Sequence, residues 1–281
     1  MTFVKKVRAP VRIDFAGGTT DIFPFTHKYG GAVLNAAINH YVYGELIATD
    51  KTTKLEYHAD IPTSSGLGTS SAMNVVWVAL ISKLKEKGEI AKSVFKIEQS
   101  ISTSKINGKQ DMHAASYGGI NLMEFKKDEV KINLVKLSNG EIKQLENSLV
   151  LVYTGKPHLS GNSNKSMINN LLKGKNTENL IRIRDIAYRM RDALVKKNFE
   201  MFGELLNDET AERSKLDSSI VPKKLQDIIN AGMQNGAVGA KVCGSGGGGS
   251  ILFFGDKNKL RKKFGKSVID FKFDFEGLKW L

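Results

Sequence analysis

Two glycine-rich segments of this chain could hold a phosphate. The first is Pro62–Ala72, PTSSGLGTSSA, which leads from a loop into an apolar run. Gly66 and Gly68 let the backbone approach a ligand closely. The helix that follows offers unpaired N–H groups and a positive dipole end to an anion. The hydroxyls of Thr69, Ser70 and Ser71 can bond phosphate oxygens or ligate Mg²⁺, a hard cation that prefers oxygen. The competing reading is a Ser-capped helix after a flexible turn, but capping needs fewer hydroxyls and glycines than this segment carries. The second segment, Gly244–Gly249, spells G-x-G-x-x-G. A dinucleotide fold needs a helix after those glycines. Here the apolar strand-former SILFF (250–254) follows, which argues against a Rossmann site. Neither segment is G-x-x-x-x-G-K-[ST], so a P-loop nucleotidase is disfavoured too.

The elements that must carry these loops can be read from hydrophobic patterning. Residues 7–16 alternate as a strand, and 32–48 and 55–59 are rich in β formers. Apolar residues nearly all round from Ser70 to Lys87 predict a buried helix, with Gly88 as its stop. A second helix is expected at 89–104, a short one at 112–117, and strands near 119–125, 130–136 and 148–154. The second half begins with helices at 179–197, 199–213 and 221–235. In the first of these Ile183, Ile186, Ala187, Met190, Ala193 and Leu194 form a core stripe. A helix at 256–267 and a strand at 268–273 close the chain. Mixed helices and strands in both halves give an α+β class, with a domain boundary at 148: residues 1–148 and 149–281.

Composition bounds the function without choosing it. The 281 residues carry 42 basic and 29 acidic side chains, a net charge of +13. That balance invites an anionic partner: nucleic acid, a membrane surface or a phosphorylated small molecule. No apolar run approaches the roughly 18 residues of a membrane span, and residues 1–12 are too polar for a signal peptide. One cysteine, Cys243, allows no intrachain disulfide and reads as a small core residue. The five histidines (27, 40, 58, 113, 158) lack metal-site spacing. A cytoplasmic protein is the expectation.

Three ordered motifs then resemble the GHMP kinases. They are Ala9-Pro10-Val11-Arg12-Ile13 with Gly17-Gly18-Thr19-Thr20-Asp21, then Pro62–Ala72, then Gly244–Gly249. Within that family Gly30–Asn35, Gly108-Lys109-Gln110-Asp111, Gly118–Asn121 and the closing FKFDFEGLKWL resemble the sugar-kinase branch around heptose 7-phosphate kinase and fucokinase. The chain departs from that branch in being shorter, and in Met112-His113 after Asp111. It also lacks the Glu-His pair that precedes Thr-Asp in galactokinase.

The resemblance implies a two-domain fold, an N-terminal α/β ATP-binding part and a C-terminal part with a ferredoxin-like core. It implies phosphoryl transfer from ATP, with Mg²⁺, to a hydroxyl of a sugar or sugar phosphate, heptose 7-phosphate first and a free sugar such as fucose second. By resemblance Ser65, Gly66, Leu67, Gly68, Thr69, Ser70 and Ser71 bind ATP, and Ser71 and Glu98 hold the metal. Asp111 is the catalytic acid–base group. Arg12 stabilises the transferring phosphoryl or lowers the Asp111 pKa. Gly18, Thr20, Asp21 and Gly247 face the substrate, with Lys109 and Lys156 as further anion contacts and His113 near Asp111. A helix-capping Asp111, an edge-strand Arg12 and an Asx-turn Asp21 are the structural alternatives. An NAD-linked oxidoreductase and a basic nucleic-acid-binding protein are the rival functions. No nucleic-acid or membrane partner is expected, and the chain is read as a monomer or homodimer.

Overall fold

In a computed structural model, described over residues 2–62, 64–102, 106–156 and 169–281, β1 (Phe3–Ala16) and β2 (Gly31–Ala48) form the spine of the first sheet. Thr63 of the phosphate-type loop, residues 103 and 104 of the expected second helix, and His158 lie outside the described residues. β1 pairs antiparallel with β2 along nearly its whole length, and the register shifts at Pro10, which has no N–H to give to the ladder. β3 (Thr53–Ala59), β4 (Ile120–Lys126) and β5 (Glu129–Leu134) extend the sheet.

Three helices pack beside it: α2 (Thr69–Ile81), α3 (Lys87–Ile101) and α4 (Gln110–Tyr117). A one-turn helix, α1 (Phe25–Lys28), sits between β1 and β2. α2 is shorter than its apolar run suggests. It ends at Ile81 because the Lys5 ammonium donates to the carbonyls of Ala79, Leu80 and Ser82, and a cation at a helix C-terminus is favourable. Gly88 therefore does not stop α2; it lies inside the first turn of α3.

α5 (Asn139–Ser148) was not expected from the apolar pattern. Its start is a capping box, Ser138 with Glu141, which the sequence does spell. The second sheet then begins with β6 (Leu149–Tyr153). α6 (Thr177–Val195), α7 (Phe199–Ser214) and α8 (Lys223–Met233) follow, then β7 (Ala237–Val242), β8 (Ser250–Gly255), α9 (Lys257–Phe264) and β9 (Val268–Ile269). The order β7-β8-β6-β9 is antiparallel throughout. With helices between β6 and β7 and between β8 and β9, this is the ferredoxin-like arrangement. The expected final strand at 268–273 is shorter. After β9 only Phe273 bridges, to Ile38, and β10 (Lys279–Trp280) returns to β1.

One core joins the two sheets. Phe15 of β1 packs edge-on against Phe202 of α7, with ring centroids 5.2 Å apart. The Ile183–Leu194 stripe of α6 is buried as expected. Much of the positive charge sits on solvent faces of α6 and α9, where Arg182, Arg189 and Arg261 pair with Glu178, Asp208 and Asp270. Among the described residues no helix is long and apolar enough to cross a membrane.

Candidate active site

The loop before α2 turns on two left-handed glycines, Gly66 and Gly68 (φ 79° and 73°). Gly68 is also the N-cap of α2, with no side chain to cap the first turn. The helix N–H groups are thus left for a ligand. Ser65 Oγ and Thr69 Oγ1 are buried with no hydrogen-bond partner among the described residues. Unsatisfied buried donors of this kind suit an oxygen-rich anion.

The second glycine segment buttresses the first, backbone against backbone. A Cβ on Gly249 would lie 2.7 Å from the Ser65 carbonyl oxygen, and one on Gly66 2.8 Å from that of Cys243. Gly244 and Ser245 line the cleft. Gly247 does not; its N–H donates to Ile220 O at 2.8 Å. Burial raises the Cys243 thiol to about 11, so it is an inert core group. Gly249→Ala, at φ 76° and without room, is expected to displace Ser65 and Gly66. Expected outcomes are a raised ATP KM and a stability loss of about 1–3 kcal/mol, checked by steady-state kinetics and urea denaturation.

Asp111 stands in the first turn of α4, across from that loop. A Cβ on Gly68 would be 3.3 Å from its carboxyl group. Arg12, buried on β1, donates from Nε to Asp111 Oδ1 at 2.8 Å, with Nη2 also 2.8 Å away, and from Nη1 to Gly66 O at 2.8 Å. Arg12 therefore ties the acid to the loop. Burial alone would lower the Arg12 pKa, but Asp111 and Asp14 outweigh it and hold it above its ordinary value. The reading of Arg12 as an exposed edge-strand arginine fails, because its side chain is buried.

Asp21 is 2% exposed. Its Oδ2 accepts the N–H groups of Lys109 (2.7 Å) and Gln110 (2.9 Å). It thus caps α4, whose own N-cap residue Lys109 makes no side-chain cap. Burial raises its pKa to about 6; the Gln110 N–H works against this, and the Asp111 and Asp14 charges add to it.

Glu98 comes from α3. Its Oε1 accepts Asn74 Nδ2 at 2.9 Å. Burial raises its pKa, hydrogen bonds from Asn74 and Ser71 lower it, and the Asp111 charge adds to the rise.

These groups line one cleft of about 370 Å³ that holds Arg12, Gly18, Asp21, residues 64–71, Glu98, Asp111, Gly244 and Ser245. Other expected residues are elsewhere. Thr20 is fully buried, with Oγ1 donating to Gly17 O and Ala32 O. It shapes the turn rather than the cleft wall. Lys109 points away, to Lys127 O at 2.9 Å. Lys156 meets the glycine loop through its carbonyl, which accepts Gly249 N–H. His113 Nδ1 faces Lys109 O at 2.7 Å, and burial lowers its pKa, so the ring is neutral at pH 7.

Sequence reasoning missed a buried charge group under the cleft. Asp14, Glu209, Arg213 and Lys241 come from β1, α7 and β7 and are each almost wholly buried. Lys241 Nζ is 3.5 Å from Asp14 and 3.7 Å from Glu209. Arg213 bonds Glu209 one helical turn away and Gly18 O at 2.9 Å. Burial would raise the Asp14 carboxyl, but Lys241, Arg213 and Arg12 outweigh it and hold it low. No local pattern marks it: in the alternation of β1 Asp14 shares the phase of Arg8 and Arg12, opposite the core residues Val11, Ile13 and Phe15.

With this geometry in place, likeness to known proteins becomes informative. Residues 32–119 match the GHMP kinases N terminal domain and residues 190–268 the GHMP kinases C terminal. The chain belongs to the GHMP kinases. It is therefore an enzyme, a phosphotransferase with an alcohol group as acceptor and ATP as donor. It is 27% identical to a D-glycero-alpha-D-manno-heptose 7-phosphate kinase of Campylobacter jejuni, over 98% of each chain. It is 25% identical to a bifunctional fucokinase/GDP-fucose pyrophosphorylase of Arabidopsis thaliana, over 98% of this chain and 32% of that protein. The crystal structure of a D-glycero-D-manno-heptose 1-phosphate kinase from Bacteroides thetaiotaomicron has the same fold. Its TM-score is 0.76 at 23% identity, over 99% of both chains. Residues 64–71, Glu98 and Asp111 of the cleft fall in the first matched region, and Arg213, Gly244 and Ser245 in the second.

Proposed function

We propose that this GHMP kinase transfers the γ-phosphoryl group of ATP to a hydroxyl, the anomeric one first, of a sugar phosphate. D-glycero-D-manno-heptose 7-phosphate is the leading acceptor, and a free sugar such as fucose the second reading. The observation that carries the kinase chemistry is the Arg12–Asp111 pair held against the Ser65–Ser71 loop. The acceptor reading rests on the heptose-phosphate kinase among its relatives.

In this reading Asp111 orients the acceptor hydroxyl and takes its proton as the oxygen–phosphorus bond forms and the bond to ADP breaks. Arg12 holds the Asp111 carboxyl group in place and offsets charge on the transferring group. Residues 65–71 hold the ATP phosphates. Asp21 and Gly18 face the acceptor, and Thr20 shapes their turn. The chain is divided at residue 148, with the nucleotide loop in the first part.

Ser71 and Glu98 fit a Mg²⁺ site, as a hydroxyl and a half-buried carboxylate whose pKa is raised by burial and by the Asp111 charge. Among the described residues no cluster of three or more His, Cys, Asp or Glu surrounds a metal position. Mg²⁺ would rest on this pair and on phosphate oxygens, and would neutralise phosphate charge. Glu98→Gln is expected to raise the Mg²⁺ concentration for half-maximal rate by about tenfold or more, read by metal titration at saturating ATP.

An ADP-release assay over heptose 7-phosphate, other sugar phosphates and the free sugars tests the acceptor. A large preference for phosphorylated sugars is expected. Preference for a free sugar would replace the leading acceptor with the second reading.

A further inference from the structure

We infer that Asp14 and Arg213, which line the cleft beside Gly18, form a hydroxyl-binding subsite for the acceptor. This rests on the kinase reading and names how one end of the cleft recognises its substrate. Asp14, Gly18 and Arg213 all line the cleft, and Asp14 and Arg213 are close enough to Asp21 for their charges to act on it.

Gly18 lets the Asp14 carboxylate close up against its backbone. A Cβ there would lie 2.2 Å from Asp14 Oδ2 and 3.1 Å from Arg213 Nη2. Its backbone does not require glycine, since its φ is outside the left-handed range. The missing side chain is therefore a matter of space.

Both side chains have bonding capacity left. Asp14 Oδ1 is buried with no hydrogen-bond partner among the described residues. Arg213 spends Nε on Glu209 and Nη2 on Glu209 and Gly18 O. Nη1 reaches only Thr19 Oγ1, at 3.3 Å. A guanidinium nitrogen of that kind carries a second N–H. Asp14 can accept and Arg213 can donate, which is what one hydroxyl group needs from its two sides.

The charge balance separates a hydroxyl from a phosphate. Arg213 and Lys241 are offset by Asp14 and Glu209 at short range. The group is neutral as a whole, so it offers directed bonds rather than net positive charge. Glu209 and Lys241 fix the two recognising side chains, so little ordering is left for the ligand to impose.

The test compares wild type with Gly18→Ala and Arg213→Lys on heptose 7-phosphate, L-fucose and monodeoxy forms of whichever is turned over. Gly18→Ala displaces the Asp14 carboxylate without removing a buried charge, so it remains informative where the Arg213 variant fails to fold. The expected result is an acceptor KM raised about tenfold or more, with the ATP KM within about twofold. One deoxy position should weaken wild type and leave the variants unaffected, which general loosening of the fold would not produce. Acceptor KM values unchanged in both variants would overturn the subsite and leave the kinase reading standing. A wild-type enzyme that turns over none of the sugars would overturn both.

Discussion

Asp111→Asn is expected to lower turnover by a factor of about 10²–10⁴ with little change in folding. Asparagine keeps the shape and can still accept one bond from Arg12, so the Arg12–Gly66 contact that ties β1 to the phosphate loop survives. What it loses is the capacity to take a proton from the attacking hydroxyl. The ATP KM should change little, because Asp111 faces the loop from α4 rather than forming part of it. Parallel ADP-release kinetics and thermal melts check this. A folded Asp111→Asn enzyme with near wild-type turnover would remove Asp111 from the chemistry. It would leave Asp111 as a helix-start residue paired with Arg12.

Asp21→Asn should stabilise the protein at neutral pH while impairing it as an enzyme. Asp21 is held at about 6 in the fold, against an ordinary 3.8. The folded state therefore binds its proton more tightly than the unfolded chain does. That contribution to stability is fully present below pH 3.8 and is lost as pH rises through about 6. Above it, burying the carboxylate costs about 3 kcal/mol at 1.36 kcal/mol per pKa unit. Asparagine can still accept the Lys109 and Gln110 N–H groups and carries no charge. The variant should be more stable than wild type at pH 8, by up to that amount, and lose the advantage near pH 4. Urea denaturation at both values reads it. An advantage that does not depend on pH would mean that charge is not what Asp21 adds. On the proposed role of Asp21 toward the acceptor, the acceptor KM should rise, since a carboxylate of the cleft wall is gone. An acid kept charged at such cost is typical of a functional site.

Asp21 also shows how two readings of one residue combine. Its sequence setting allowed either an Asx-turn or a substrate contact. It instead caps α4 from 88 positions away, and so orients the helix that carries Asp111. No local pattern announces a cap supplied by a distant strand end. Thr20, one position earlier, has the same hydroxyl chemistry as a substrate contact but is consumed by Gly17 and Ala32. The early end of α2 has a similar origin. Beyond Ile81 only Leu84 carried its expected reach to Lys87, and Lys5 of β1 satisfies its last carbonyls.

The net charge of +13 acquires a narrower meaning. Many of the arginines lie on outer helix faces in ion pairs, while the cleft itself is lined by Asp14, Asp21, Glu98 and Asp111 against Arg12 and Arg213. The excess can raise the local concentration of anions around the molecule. Specificity comes from the cleft.

The sequence by itself determined the kinase family and the two glycine loops, and singled out Asp111 and Arg12, which the fold pairs. Those are legible because phosphate binding places glycines and hydroxyls in contiguous runs, where backbone geometry and chemistry coincide. It also determined the core stripe of α6, since helical periodicity is local. Only the tertiary structure decided which of the neighbouring residues face the cleft. It turned Thr20, Lys109 and Gly247 away, gave Asp21 a second role, and assembled Asp14, Glu209, Lys241 and Arg213 from segments up to 227 positions apart. Burial decides that outcome. A charge can stand in the core only where the fold brings its partner within reach, and the identity of that partner is a property of packing rather than of spacing along the chain.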